Sequence, residues 1–74
     1  MNITINCFAT LGQYAPPGNK YPITQGMTVG GLIEALAIPA DQVQTIFVNS
    51  LVADVSKVLA DGDRVGIFPA VAGG

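Results

Sequence analysis

One stretch of the chain has the clear apolar spacing of an amphipathic helix. Its apolar residues recur at i, i+3, i+4 and i+7, and they are Val29, Leu32, Ile33 and Leu36. Thr28 precedes them and is a favoured N-cap residue, whereas Pro39 is expected to stop the helix. Gly30 and Gly31 each disfavour an isolated helix by about 1 kcal/mol. We therefore expect a helix that depends on packing, in which the glycines allow close approach to a sheet.

The segment before this helix has the alternation of a strand. Residues 2–8 place three apolar side chains on one side, namely Ile3, Ile5 and Cys7. Residues 11–20 are rich in glycine and proline and are interpreted as a loop or wide hairpin connection. Residues 21–25 are interpreted as a second strand. Pro22 cannot donate to a ladder, so this strand is predicted at a sheet edge.

Three further strands are predicted after the helix, at residues 44–49, 51–53 and 64–69. Their core-facing positions are Ile46, Val48, Val65 and Ile67. Phe47 and Phe68 fall on the opposite face by alternation. Residues 54–60 fit either a helical turn or a loop, and Asp-Gly-Asp at 61–63 is a strong turn signal. This order of elements predicts a single α+β domain in which a sheet packs on one main helix.

The low charge of the chain excludes several functions. The 74 residues include three basic and five acidic ones, and the net charge is −2. Three scattered cations do not form the basic patch that nucleic-acid binding needs. No apolar run approaches the roughly 20 residues of a membrane-spanning helix. The first residues lack the basic region of a signal peptide, so a cytoplasmic location is expected.

Few side chains offer catalytic chemistry. The chain has no histidine, which excludes Ser-His and Cys-His pairs. Cys7 lies on the apolar side of its strand and is expected to be a small buried hydrophobe. Asp61 and Asp63 flank a turn glycine and are expected to form a solvated turn, since a hard cation needs about six oxygen ligands. We therefore expect no metal, no intrinsic cofactor and no catalysis by this chain alone.

The last residues of the sequence are more informative than any side chain. Residues 1–69 are interpreted as the folded domain and 70–74 as a flexible, uncharged tail that ends in Gly73-Gly74. Two terminal glycines occur by chance in about one chain in 200 at average glycine usage. Because glycine has no Cβ, Gly73 lets such a tail enter a narrow channel. The α-carboxylate of Gly74 becomes an acyl donor if another enzyme activates it, for example as an acyl-adenylate.

The two phenylalanines of the outer face adjoin this tail. An apolar patch in a chain so poor in charge favours a docking surface for a partner over two scattered exposed aromatics. Phe68 is expected to be exposed, so its removal should change stability by no more than roughly 0.5 kcal/mol. An interaction domain with an idle tail is the alternative to a carrier.

Several motifs together resemble a known family. They are Val48-Asn49 with Leu51-Val52, Leu-Ala-Asp-Gly-Asp-Arg-Val at 59–65, Phe-Pro-Ala-Val-Ala-Gly-Gly at 68–74, and Cys7-Phe8-Ala9 at the end of the first strand. The distance from the Asp-Gly-Asp turn to the terminal motif is the most specific of these features. The chain resembles the ubiquitin-like sulfur carriers, which include the small subunit of molybdopterin synthase and the thiamin-pathway carrier. The resemblance implies a β-grasp fold, with a mixed sheet packed on one main helix.

The resemblance also implies partners and a reacting residue. An adenylating enzyme related to ubiquitin-activating enzymes uses ATP to activate Gly74, and a sulfur-donating enzyme supplies the sulfur that displaces AMP. The resulting thiocarboxylate gives its sulfur inside the large subunit of molybdopterin synthase or an equivalent acceptor. Gly73 provides access for the tail. The expected partner contacts are Phe47, Phe68, Pro69 and Val71.

The pathway is open at this stage. Phe68-Pro69 resembles the molybdopterin branch more closely than the thiamin branch. Residues 10–13, however, lack the arginine that many small subunits of molybdopterin synthase carry soon after the first strand. A thiamin-pathway carrier is therefore one alternative. A ubiquitin-like modifier that is conjugated to lysines is another, because it needs the same activated glycine.

Overall fold

The computed structural model of the chain describes residues 1–70. Its main elements are β1 (Asn2–Cys7), β2 (Lys20–Pro22), α1 (Val29–Ala35), β3 (Val43–Val48), β4 (Leu51–Ala53) and β5 (Arg64–Pro69). Short 3-10 helices span Ala9–Tyr14, Pro17–Asn19 and Ala40–Gln42. The predicted order of strands and helix is confirmed. The tail residues Val71, Gly73 and Gly74 lie outside the described residues.

The five strands form one mixed sheet in the order β2-β1-β5-β3-β4. β1 and β5 pair in parallel, and the other three pairs are antiparallel. β2 is an edge strand, as Pro22 predicts. One face of the sheet packs with α1 into a single apolar core, which includes Ile5, Leu32 and Ile67, each with 0% of its surface exposed.

The helix begins where the sequence indicates but ends earlier. The Thr28 hydroxyl accepts a hydrogen bond from the Gly31 amide at 3.1 Å, which is the predicted N-cap. The helix ends at Ala35, because Ala37 adopts a left-handed conformation with φ of 60°. The prediction that Pro39 stops the helix was therefore wrong.

The helix glycines allow a close approach to a loop rather than to the sheet. The Gly30 amide donates a hydrogen bond to the Val55 carbonyl at 2.9 Å. A Cβ atom at position 30 would lie 3.2 Å from that same oxygen. The loop after β4 thus satisfies a free amide at the start of α1, and a larger residue at position 30 would have to displace the Val55 carbonyl by a few tenths of an ångström.

The connection between β1 and β2 is more ordered than the sequence suggests. Residues 11–20 were expected to be a loop, but a 3-10 helix at Ala9–Tyr14 places Leu11 in the core with 0% exposure. The ambiguous segment 54–60 is a loop with one turn, and Leu59 within it is buried as well. Leu11 is a lone apolar residue between Thr10 and Gly12, so it has no periodicity that would identify it as a core residue. Leu59 lies in a segment whose pattern fits either a turn or a loop, so it was not identified either.

Candidate functional site

The strand that leads to the tail lies in the middle of the sheet. β5 is paired along both sides, with β1 and with β3. Its last residue, Pro69, pairs with Val43, and the Ala70 amide donates a hydrogen bond to the Gln42 carbonyl at 3.0 Å. The chain is therefore fixed up to Ala70, and the point from which the tail departs is set by the sheet.

Three phenylalanines form a cluster on the face of the sheet opposite α1. The Phe8 and Phe68 rings are stacked, with centroids 4.2 Å apart and planes 6° from parallel. Phe47 meets Phe68 edge-on, at 5.5 Å between centroids and 81° between planes. We call Phe8, Phe47 and Phe68 the outer aromatic cluster. It lies directly beside the end of β5.

A glycine lies beneath the stacked rings of Phe8 and Phe68. A Cβ atom at Gly66 would lie 3.4 Å from Phe8 Cε2 and 3.6 Å from Phe68 Cε1. Gly66 pairs with Asn6 on one side and with Phe47 on the other, so it occupies the centre of this face. A Cβ atom at this position would be in van der Waals contact with both stacked rings.

The outer aromatic cluster differs from the prediction in the exposure of Phe68 and in the presence of Phe8. Phe47 and Phe68 face away from the core, as predicted, but both are half-buried because their rings pack on one another. Phe68 was expected to be exposed. Sequence reasoning missed Phe8, which is 41% exposed. Alternation could have identified it, because Asn6, two residues earlier, is also on the outer face.

The apolar surface continues from the cluster to the edge of the sheet. Val52 of β4 pairs with Phe47, so the two side chains share a face, and Val52 is 72% exposed. Polar groups of Asn6, Ser50 and Arg64 surround a shallow depression of about 420 Å³ at the cluster. An apolar centre with a polar rim is typical of protein-binding surfaces.

The Asp-Gly-Asp turn joins the ends of several strands. Asp63 accepts hydrogen bonds from the Ala60 amide and from the Asn49 side-chain amide, both at 2.8 Å. Asp61 accepts a hydrogen bond from the Asn2 amide at 2.8 Å. Both carboxylates thus stabilise the turn that leads into β5, and they do so at the protein surface. Within residues 1–70, no three His, Cys, Asp or Glu side chains are grouped as a metal site would require.

Cys7 lies on the core side of β1 but is only partly covered. It packs against the apolar core and is half-buried, since it is the last residue of its strand. The expectation of a fully buried cysteine was therefore too strong. Burial raises the pKa of the Cys7 thiol above its ordinary value. A raised pKa reduces the thiolate fraction and so does not favour a nucleophilic role.

A comparison with family models decides the relationship of this chain to known proteins. The model of the ThiS family matches residues 5–74, which is nearly the whole sequence. The chain belongs to the ThiS family. The resemblance to ubiquitin-like sulfur carriers is thereby confirmed, and the match includes the Gly73-Gly74 end. No curated protein sequence matches the chain.

Solved structures show that this ThiS-family chain has the β-grasp fold. Small archaeal modifier protein 1 from Haloferax volcanii matches with a TM-score of 0.75 and 22% identity, covering 100% of each chain. A candidate molybdopterin converting factor, subunit 1, from Pyrococcus furiosus matches with a TM-score of 0.72 and 25% identity. That alignment covers 95% of this chain and 98% of the other. In the described part of the chain, no helix has the length and apolarity to span a membrane.

Proposed function

We propose that this protein is a sulfur carrier that acts as the small subunit of a molybdopterin synthase. The observation that carries the proposal is the ThiS-family match, which extends through Gly74. ThiS-type carriers work with activating enzymes and acceptor subunits. The reacting group is the α-carboxylate of Gly74, and Gly73 gives the tail steric access to both partners' sites.

The proposed chemistry takes place in two steps. In the first, a carboxylate oxygen of Gly74 attacks the α-phosphorus of ATP in the activating enzyme, and pyrophosphate leaves. In the second, a hydrosulfide equivalent from a sulfur-donating enzyme attacks the acyl carbon. The bond from this carbon to the AMP oxygen breaks, and a carbon–sulfur bond forms. The product is a thiocarboxylate at Gly74, and the acceptor subunit consumes its sulfur.

The geometry of the described residues supports a division between domain and tail. The fold up to Ala70 is held by backbone hydrogen bonds on both sides of β5. The outer aromatic cluster lies beside the departure of the tail and offers an apolar docking surface. A partner that receives Gly74 must therefore pass close to Phe68. We propose Phe47, Phe68, Pro69 and Val71 as its contacts, and we add Phe8 and Val52 from the structure.

Two observations favour the molybdopterin pathway among the sulfur carriers. Phe68-Pro69 resembles the molybdopterin branch. The P. furiosus structure described as a molybdopterin converting factor, subunit 1, matches 95% of this chain at 25% identity. A thiamin-pathway carrier and a protein modifier are the alternatives, and each predicts a different fate for the activated tail.

The proposal is tested by deleting Gly74 and following activation. The full chain should support ATP–pyrophosphate exchange by an adenylating enzyme from the same host, whereas the chain that lacks Gly74 should not. Lys20→Gln is the control and should leave exchange unchanged, because Lys20 is exposed on the edge strand β2 and lies nearer the start of β5 than its end. Normal exchange without Gly74 would show that the tail is idle.

The pathway is tested by supplying the thiocarboxylated protein to candidate acceptors. We expect sulfur transfer in the presence of a molybdopterin synthase large subunit and its pterin precursor. Transfer only with a thiazole synthase would assign the thiamin pathway. Covalent attachment to lysines of other proteins, detected as isopeptide-linked Gly74 in digests, would assign a modifier.

A further inference from the structure

A groove lies on the helix side of the sheet, away from the outer aromatic cluster. It has a volume of about 850 Å³ and is bounded by α1, by the beginning of β3 and by the loop after β4. Ile33, Ile38 and Ile46 lie at its base and are almost fully buried. Val55 forms part of the wall and is 57% exposed. The groove is thus apolar at its base and open to solvent above.

One side of the groove is an unpaired strand edge. β4 pairs only with the second half of β3, from Ile46 to Val48. On the other side of β3, Val43 pairs with Pro69 and Thr45 with Phe68, so Gln44 is the extra residue of a β-bulge. Within residues 1–70, Gln44 has no partner in either ladder. Edge segments of this kind are templates for the addition of another strand.

The charges around the groove are of one sign. Glu34 and Asp54 line it, and none of the lysines and arginines in the described part of the chain does. The pKa of Asp54 is lowered by hydrogen bonds from the Ser56 hydroxyl and the Ser56 amide, so this carboxylate is ionised at neutral pH. An occupant with positive charge is therefore favoured over a neutral or acidic one.

The geometry points to strand addition by an extended, basic segment of a partner protein at the free edge of β3. Main-chain groups of the segment pair with Gln44, apolar side chains lie over Ile33 and Ile38, and a lysine or arginine meets Glu34 or Asp54. The chain's own tail fits less well, because it is uncharged and ends in a carboxylate. A second copy carries a net charge of −2, so its charge does not complement the acidic groove. This interaction is independent of the chemistry proposed at Gly74.

A short peptide provides the probe. Acetyl-Lys-Val-Ile-Val-Lys-amide is titrated into the full, isotopically labelled protein, and amide chemical shifts are followed by NMR. We expect shifts at Gly31, Gln44, Thr45 and Val55 and none at Phe8 or Phe68. The same peptide with N-methyl groups on its three central residues keeps its side chains but cannot donate hydrogen bonds to β3 from those residues at either edge, and it should bind roughly tenfold more weakly. A peptide with glutamates in place of lysines should bind more weakly still.

Variants of the protein test the charge requirement. Glu34→Gln and Asp54→Asn should each weaken binding of the lysine peptide by about twofold to fivefold. Asp61→Asn changes the charge equally but lies outside the groove, and it should leave the affinity unchanged. The inference would be overturned if the N-methylated peptide bound equally well, or if the peptide caused shifts at the outer aromatic cluster. It would also be overturned if the protein dimerised through β3 without peptide in sedimentation, or if no binding were seen at millimolar peptide.

Discussion

Truncation of Phe68 tests whether the outer aromatic cluster holds the fold together as well as presenting a surface. Phe68→Ala removes a stacked pair with Phe8 and an edge-on pair with Phe47. Such pairs contribute about 0.5–1.5 kcal/mol each beyond the burial of area. Half-burial of the ring adds about 1 kcal/mol, on the basis of about 1.5–3 kcal/mol for a fully buried large apolar side chain. We therefore expect a loss of about 2–4 kcal/mol.

The loss is measured as the free energy of unfolding in urea, followed by circular dichroism. For a domain of this size, it corresponds to a fall of roughly 8–30 °C in the melting temperature. Val52→Ala, on the same face but with 72% exposure, is the matched control and should cost no more than about 0.5 kcal/mol. A double-mutant cycle with Phe8→Ala should give a coupling of about 0.5–1.5 kcal/mol.

The same variant tests docking when it is measured below its melting temperature. Truncation of an aromatic residue at the centre of an interface commonly reduces the binding free energy by about 2 kcal/mol or more. A tenfold loss of affinity corresponds to about 1.4 kcal/mol. Phe68→Ala should weaken the complex with the activating enzyme more than tenfold in calorimetry. Unchanged stability together with zero coupling to Phe8 would refute the cluster. Unchanged affinity in the folded variant would refute the docking role.

Three further perturbations follow from the described contacts. Gly31→Ala should raise the free energy of unfolding by up to about 1 kcal/mol. Gly30→Ala should lower it, because a Cβ at Gly30 meets the Val55 carbonyl at 3.2 Å. Equal effects of the two variants in urea unfolding would contradict this. The rate at which Cys7 reacts with maleimide should rise with pH, and the pH of half-maximal rate should lie above that of a cysteine peptide. The free energy of unfolding should fall as the pH rises past the unfolded-state pKa, since the folded state holds the thiol proton more tightly. A half-maximal pH at or below the peptide's would show that burial does not dominate the pKa of Cys7. Asp63→Ala should cost about 1–2 kcal/mol through two lost hydrogen bonds, and thermal melting identical to that of the unchanged protein would argue against them.

The regular elements could be predicted because their side chains alternate or repeat. Period-two patterning identified β1 and the core positions of β5, and helical spacing with Thr28 identified α1. Leu11 could not be identified, because it is a lone apolar residue in a 3-10 helix whose burial depends on packing across the sheet. The helix end was misplaced because Ala37 enters the left-handed region without glycine or asparagine to signal it.

The candidate site was predicted in part. Alternation placed Phe47 and Phe68 on the correct face, but it carries no information on how two rings in different strands pack together. The stack with Phe8 depends on the parallel pairing of β1 with β5, which brings together residues from the two ends of the chain. The open edge at Gln44 likewise depends on a bulge and on the short length of β4. Neither feature has a signature in the sequence.

The most direct test of the proposed function is the intact mass of the protein purified from its native host under non-reducing, thiol-free conditions. Replacement of one carboxylate oxygen of Gly74 by sulfur predicts a species heavier by about 16 Da, the difference between the atomic masses of sulfur and oxygen. Fragmentation should place the added mass on Gly74, and the Cys7-containing fragment should be unchanged. An unmodified mass in cells that express the activating and sulfur-donating enzymes, or an added mass on Cys7 instead, would contradict the proposal.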